Sequence, residues 1–486
     1  MKKPFHMAVR GNIVLGERVV RGGALLIDNG KISVVADTCA DSQADTVIDA
    51  RGKLILPGAV DSHVHSLSFP GEGFFHSTRS AAGGGVTTIV DMPVDAPAGI
   101  AGPEALARKI TLVEKESFVD VALLGSVKND TIGNIPLLKE GGVCGFKLSL
   151  FDTDPDRFPR VTDGRLLEAF SAISRTGLTA GVHAENDEII KYLIDLYSMQ
   201  GKTYPRAHCE TRPPVSETES VLKALEFAWA TGVRLHLYHV SLSRSVDLAN
   251  YYRSQGVAVS AETCPHYLVF CDEDMDRLGG RLRINPPVRK KTERELLWQK
   301  IRVGDIGCVS SDHAPWPADR KESTSIFESA SGCPGVETLL PLVYSEGVVT
   351  GRISLAVLVR VIAETPARLF GLYPKKGSLL PGSDADLVIL NPRKKWTIRA
   401  DELHSSAGWT PYEGMEVNGC VETTIVRGMI VYHKGEFPES KGTGRFVRPV
   451  DGRKRPRDDG RPSLRDYDDG RRKKFLHSSE RSERST

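Results

Sequence analysis

Between residues 56 and 370 short apolar runs alternate with segments whose apolar positions recur every three or four residues, the rhythm of parallel strands joined by helices. Eight runs read as strands: GAVDSHVH, VTTIVDMP, VDVALLGSV, CGFKLSL, LTAGVHAEN, RLHLYHVS, VAVSAETCPHYL and IGCVSSDHAP. Helix-patterned stretches separate most of them, among them TDGRLLEAFSAIS, SETESVLKALEFAWATG and TERELLWQKI, with Thr or Ser expected as caps and Glu in the first turns. Eight such units predict an α/β fold, a closed (β/α)8 barrel. Before and after it the texture changes. Residues 1–55 and 371–440 hold short β-rich runs broken by Gly and Asn-Gly turns, each too small to stand alone. The economical arrangement pairs the two chain ends into one small β-sandwich beside a barrel over 56–370.

Residues 441–486 are rich in Arg, Lys, Asp, Gly and Ser and almost free of aliphatics, so they are expected to stay disordered. The GRRKK run within them resembles a nucleic-acid or nuclear-address patch, but interleaved aspartates favour a solvated tail of mixed charge. With a formal net charge of +2 the whole chain has no electrostatic case for a nucleic-acid or membrane partner. No apolar run approaches the ~18 to 20 residues that span a bilayer, and the first residues lack a signal-peptide core, which gives a cytoplasmic enzyme as the expectation. The cysteines (Cys39, Cys144, Cys209, Cys264, Cys271, Cys308, Cys333 and Cys420) show no CxxC pair and read as reduced thiols.

Chemistry concentrates at the strand ends. His63 and His65 sit one residue apart at the end of the first barrel strand, where i and i+2 share a face and two imidazoles can grip one cation. Strand four carries Lys147, strand five ends in His183, strand six in His239 and strand eight in Asp312. In a barrel these positions converge on one mouth. Singly, His239 is a plausible core histidine and Asp312 a helix cap; as a set they point to a hydrolytic metal site. Lys147 is the odd member, because an ammonium repels cations. Carboxylation of its amine by CO₂ would turn it into a carbamate anion whose two oxygens can bridge a pair of ions.

With these residues the chain resembles the amidohydrolase superfamily, in its cyclic-amidase branch of dihydroorotases, hydantoinases and allantoinases. The resemblance runs from residue 1 to about 445 and includes the flanking segments GKLILPGAVDSHVH and GSLLPGSDADLVIL. It implies two divalent ions, Zn²⁺ in the first place, with Co²⁺, Mn²⁺, Ni²⁺ or Fe²⁺ also suited to the donors. His63, His65, carboxylated Lys147 and Asp312 would hold the first; Lys147, His183 and His239 the second. Asp312 would also act as the catalytic base, passing a proton from the water nucleophile to the leaving ring nitrogen. A homotetramer is the expectation that comes with the family.

The substrate is read from departures. Where dihydroorotases carry an arginine two residues after the second histidine, this chain has Leu67, which argues against an acidic substrate. Where hydantoinases place a substrate-binding tyrosine five residues after the lysine, it has Asp152. The motifs HAEN, AETCPHYLVF, RINPPVR, VSSDHAPWP and GWTPYEG look most like allantoinases, so a small neutral cyclic ureide, allantoin, is expected, with Asn285, His313 and Gly332 as substrate contacts. Cys264 and His266 are expected to be wall residues. The loop HSLSFPGEG is one residue longer than is usual and lacks the polar residue normally at its second place. A non-catalytic scaffold of the same fold is the rival from another class, and it is disfavoured because every ligand position is filled. Phosphotriesterase-like or deaminating chemistry is disfavoured by the CPHY and NPPVR segments.

Overall fold

A computed structural model describes residues 3–69, 71–438 and 441–450. In chain order its strands are β1 (Phe5–Leu15), β2 (Arg18–Asp28), β3 (Lys31–Ala36), β4 (Ala44–Pro57), β5 (Ala59–Val64), β6 (Val86–Asp91), β7 (Asp120–Ser126), β8 (Gly145–Ser149), β9 (Thr179–His183), β10 (Arg234–Leu237), β11 (Val259–Thr263), β12 (Cys308–Val309), β13 (Leu387–Thr397), β14 (Glu416–Val426) and β15 (Met429–His433). Strands β5 to β12 lie side by side in sequence order, all parallel, and fall on the eight runs predicted. β5 to β9 are buried along their whole length, as strands covered on both faces must be.

The ring closes through polar groups rather than through a long ladder. β12 is only two residues, but the chain beyond it returns to β5: Val64 bridges His313, His313 N donates to His63 O at 3.2 Å, and His65 N donates to His313 O at 3.0 Å. Asp61 Oδ1, buried inside, accepts from Ser311 N at 3.0 Å across the same seam. This seam brings the first and eighth strand ends together, so it sets the distance between the His63/His65 pair and Asp312.

Helices pack outside by the expected 3.6-residue periodicity. Pro214–Thr231 buries Val221, Ala224, Leu225 and Ala228 and stops at Gly232, whose φ of +67° a side chain would adopt only with strain. The predicted Ser/Thr caps are not the devices used. Thr162 precedes Asp163–Thr176 without a capping bond, and the next two predicted helices start at Pro214 and Lys291. Asn186 instead caps Asp187–Met199, accepting from Ile189 N at 2.9 Å.

The chain ends do pair, though not as two stacked sheets. They form one seven-stranded mixed sheet in the order β15-β14-β13-β4-β1-β2-β3, with β1 parallel to β4 and β13 antiparallel to it. The sheet curls until the β2–β3 turn meets the approach to β13, where Ile32 N donates to Ser383 O and Ala385 N to Gly30 O. Val9, Ile13, Leu25, Ile27, Ile55, Leu387, Ile389 and Ile425 fill the inside. Curling gives one sheet the enclosed core that a sandwich was expected to supply.

The expected disorder from residue 441 starts too early. Val121 N donates to Arg445 O at 2.9 Å, Val447 N donates to Val121 O at 2.8 Å, and Val447 is 2 % exposed, so 441–450 lie as a short strap along the start of β7. The charged stretch of the predicted tail, from 451 on, lies outside the described residues.

Barrel, curled sheet and strap meet at a buried ionic joint. Lys376, fully buried, holds Asp384 Oδ2 at 2.9 Å, Asp386 Oδ2 at 2.8 Å and the carboxylate of Asp120, the first residue of β7. Arg427 pairs with Asp120, Lys31 reaches Asp384 at 3.2 Å, and Arg445 N donates to Asp120 at 2.9 Å. Burial pulls the Lys376 pKa down, but the three carboxylates outweigh it and hold the ammonium charged. Lys376→Met should therefore cost about 3–5 kcal/mol, because it strands buried carboxylates without their cation. A urea midpoint unchanged from wild type would refute that role.

Candidate active site and metal centre

The predicted residues come together at the C-terminal rim of the barrel. His63 is the last residue but one of β5, Lys147 lies within β8, His183 ends β9, and His239 and Asp312 follow β10 and β12. His63 Nε2 and His65 Nε2 face Asp312 Oδ1 at 3.1 and 3.6 Å, while His183 Nδ1 and His239 Nε2 face each other at 3.0 Å. His63 bridges the two groups, its ring 5.3 Å from both His65 and His239. His239 and Asp312 hold φ of +38° and +48°, left-handed conformations that non-glycine residues adopt at a cost of order 1–3 kcal/mol and that cluster at functional sites.

The outward atoms of three of the four imidazoles are tied down, while His239 Nδ1 meets no partner among the described residues. His63 Nδ1 meets Glu262 Oε1 at 3.0 Å, His65 Nδ1 meets Ser68 Oγ at 3.0 Å, and His183 Nε2 meets Glu185 Oε2 at 2.9 Å. A carboxylate on the outer nitrogen fixes the tautomer and turns the other lone pair inward. Glu262 also accepts from Ser62 and pairs with His236. Neither Glu262 nor Glu185 was singled out from the sequence. The available signal was an acid inside an otherwise apolar strand run, AETC, and beside a strand-end histidine, HAEN.

Electrostatics put the donors in ligand form. Burial lowers the His63 pKa to about 4, with Asp312 opposing and Lys147 assisting. Burial and the neighbouring His183 and Lys147 hold His239 well below the ordinary imidazole range. Asp312 stays ionised: burial would raise its pKa, but His63 and His65 pull it below the usual carboxylate range. Lys147 is the decisive case. It is 3 % exposed, its Nζ has no hydrogen-bond partner, and it lies 3.5 Å from the centroid of the Tyr238 ring. Burial drops its pKa to about 7, so near neutrality much of it is the free amine, the nucleophilic form of the group. Room for Tyr238 comes from Gly181 on β9, where a Cβ would sit 2.0 Å from the Tyr238 ring.

Among the described residues two groups of potential ligands have donor atoms within 4.8 Å of one another. Asp120, Asp384 and Asp386 form one, already filled by Lys376. His63, His65 and Asp312 form the other. Inward-facing imidazoles, an ionised carboxylate and an unpartnered buried amine fit divalent cations.

The expected substrate contacts are placed differently. Asn285 is partly exposed near the mouth, and its Oδ1 accepts from Arg212 Nε at 3.1 Å. His313 is 1 % exposed with both ring nitrogens engaged, Nε2 on Glu72 at 3.1 Å and Nδ1 accepting from Gly335 N at 3.1 Å. Gly332 has φ +111° and packs against Ala314, and its carbonyl accepts from the buried Lys321 at 2.7 Å. Asp152 is committed to Lys191 Nζ at 2.6 Å and to Arg160 N at 2.7 Å, so Phe151, 6.0 Å from the His183 ring, is what this loop presents there. In the lengthened first loop, Ser68 serves His65, and Phe69 packs on Trp316 with centroids 4.1 Å apart. Cys264 and His266 are fully buried and, among the described residues, belong to neither group of clustered donor atoms, in keeping with walls.

A closed parallel barrel with such donors at its rim defines a class, the barrel hydrolases that work through divalent cations. Comparison with known proteins gives the same answer: the sequence pattern of the amidohydrolase family matches residues 54–431. An allantoinase of Rubrobacter xylanophilus is 37 % identical over 445 residues, covering 90 % of this chain and 97 % of that one. An L-hydantoinase of Paenarthrobacter aurescens is 35 % identical over 449 residues, covering 91 % and 98 %. Among solved structures the L-hydantoinase from Arthrobacter aurescens superposes with a TM-score of 0.89 at 34 % identity, covering 91 % of this chain and all of that one. The chain belongs to the amidohydrolase family, in its cyclic-amidase branch. That membership implies a binuclear metal centre, and the donors described here fit one.

His266 gives an acid-stability test. Neither of its ring nitrogens has a partner, and burial, against the pull of Asp312, lowers its pKa from 6.5 to about 4. Between those values the unfolded chain binds a proton that the folded chain does not. Stability therefore falls as pH drops through that window, by about 3 kcal/mol from this residue alone. In chelator-treated protein, His266→Gln should flatten that part of the urea-midpoint profile; an identical acid limb in the variant would rule the assignment out.

Proposed function

We propose that the chain hydrolyses a neutral cyclic ureide, opening allantoin to allantoate. The observation that carries the reading is the unpartnered, buried Lys147 amine set among four inward-facing imidazoles and Asp312. His63, His65, Asp312 and carboxylated Lys147 would hold one divalent ion, and Lys147, His183 and His239 a second, zinc suiting these donors best. When bound, the pair supplies Lewis-acid polarisation of the ring carbonyl and a water nucleophile at neutral pH.

The protein's own groups do the rest. Asp312, held ionised at the rim, takes the proton of the attacking water and delivers it to the leaving ring nitrogen as the C–N bond breaks. Glu262 and Glu185 keep the imidazoles from turning. Asn285, partly exposed and held by Arg212, would bind the ring. His313 and Gly332 contribute by anchoring the loop that walls the pocket, since their own polar atoms are engaged. Leu67 leaves the first loop without a cation for an acidic substituent, and relatives named as allantoinases at 36 and 37 % identity support the choice of ring.

A hydantoin with an apolar substituent is the second reading. It is favoured by Phe151, which presents a ring rather than a phenol beside His183, and by the likeness to L-hydantoinase. We also propose a homotetramer, on family grounds, and a cytoplasmic location, supported by eight free cysteines, five of them buried. No described helix is long and apolar enough to cross a membrane.

Protein grown with Zn²⁺ or Mn²⁺ should convert allantoin to allantoate, with hydantoin, dihydrouracil and dihydroorotate assayed in parallel. Turnover of a hydantoin but not allantoin would move the assignment to the second reading. Lys147→Ala and Asp312→Ala should each lose about 10²–10⁴-fold or more in turnover while keeping the wild-type circular dichroism. A folded variant at near-wild-type rate would remove that residue from the mechanism.

A further inference from the structure

Arg212 lies on the connection between β9 and β10, in the segment ETRPPVSE, and is 1 % exposed. Its Nε donates to Asn285 Oδ1 at 3.1 Å and stands 3.6 Å from Glu185 Oε1. The other oxygen of that carboxylate holds His183 Nε2 at 2.9 Å. The guanidinium also lies over the Phe151 ring, 4.9 Å from its centroid, and Phe151 flanks the His183 imidazole. One buried cation thus touches three groups, each of which touches the site.

A guanidinium only donates. It can meet the Asn285 side chain solely at the carbonyl oxygen, so the amide nitrogen must point the other way. Among the described residues Nδ2 of Asn285 donates to no protein acceptor, and the residue is partly exposed at the mouth. Asn285 therefore offers the site a donor. On the other side, Glu185 accepts the Nε2–H of His183 and leaves its Nδ1 lone pair facing His239. A buried arginine is costly unless its contacts are specific, and Nη1 here has no partner, so the position is not one that charge balance alone would select.

We propose that Arg212 is a positioning residue serving both halves of the site. It fixes the Asn285 amide with its N–H toward the carbonyl of the bound ring, and through Glu185 it fixes the tautomer and angle of His183 on the metal side. The substrate half rests on the cyclic-ureide reading given above; the metal half stands without it.

The test uses the full-length zinc-loaded protein and two readouts, KM and kcat on the ring that is turned over, and the rate of zinc loss to a chromogenic chelator. Arg212→Met should raise KM about 10-fold and speed zinc loss about 10–100-fold. Asn285→Ala should move KM alone and Glu185→Gln zinc loss, and Arg212→Met added to Asn285→Ala should raise KM no further, as residues acting through one contact do. Wild-type KM and zinc loss in Arg212→Met, or KM effects that multiply in the double variant, overturn the proposal. Should Arg212→Met not fold, Arg212→Lys keeps the charge without the fork, and it must shift both readouts in the same directions or the proposal fails. If no ring is turned over by the wild type, the ureide reading falls, while the zinc-loss comparison still decides whether Arg212 holds His183.

Discussion

All the donors at the barrel mouth except the half-buried His65 have been taken out of water, and a buried ionisable group must be neutral, paired or ligated. That constraint orders the site. The imidazoles of His63 and His239 become neutral, Asp312 stays charged because imidazoles surround it, and Lys147 is left near neutrality with nothing to bond. The outer carboxylates follow from the same rule. Glu262 and Glu185 are tolerable inside only because each has donors around it, and in accepting those donors they choose which ring nitrogen faces inward.

The barrel's closure is part of the chemistry. With β12 only two residues long, the eighth strand joins the first through Asp61, Ser311 and His313 instead of a continuous ladder. Asp61, whose second oxygen is unpartnered and whose pKa burial raises to about 7, is an expensive seam. It nonetheless holds His63 N and Ser311 N on one carboxylate oxygen, and so keeps the two ligand-bearing strand ends in register. The left-handed backbone at His239 and Asp312 is consistent with this: past their strand ends the chain turns sharply enough to aim each side chain across the mouth.

Much of the fold was legible because its signal is local. Apolar runs mark strands wherever both faces are covered, and His63, His65, Lys147, His183, His239 and Asp312 were legible because a strand end in a barrel fixes where a side chain goes. What stayed hidden depends on neighbours far apart in the chain. Glu262 matters through His63, 199 residues away, and Arg212 through Asn285, 73 residues away, and neither partner is visible in a window. Alternation in the end segments reports one buried face and not what covers it, so a sandwich and one curled sheet read alike. Residues 441–450 looked disordered because composition counts side chains, whereas this strap is held by backbone pairing to Val121 and by one ionic joint. His313 and Gly332 are expected as contacts from the resemblance, and the hydrogen bonds that hold both in the loop join residues far apart in the chain.

The strap has a geometric consequence. It runs beside the first residues of β7, at the end of the barrel away from the catalytic rim, and its last described residue, Val450, donates to Gly371 O at 2.8 Å. The strap therefore lies against the face of the barrel opposite the mouth. A surface or carrier that gripped the strap itself would hold the enzyme from beneath, with its entrance facing solution.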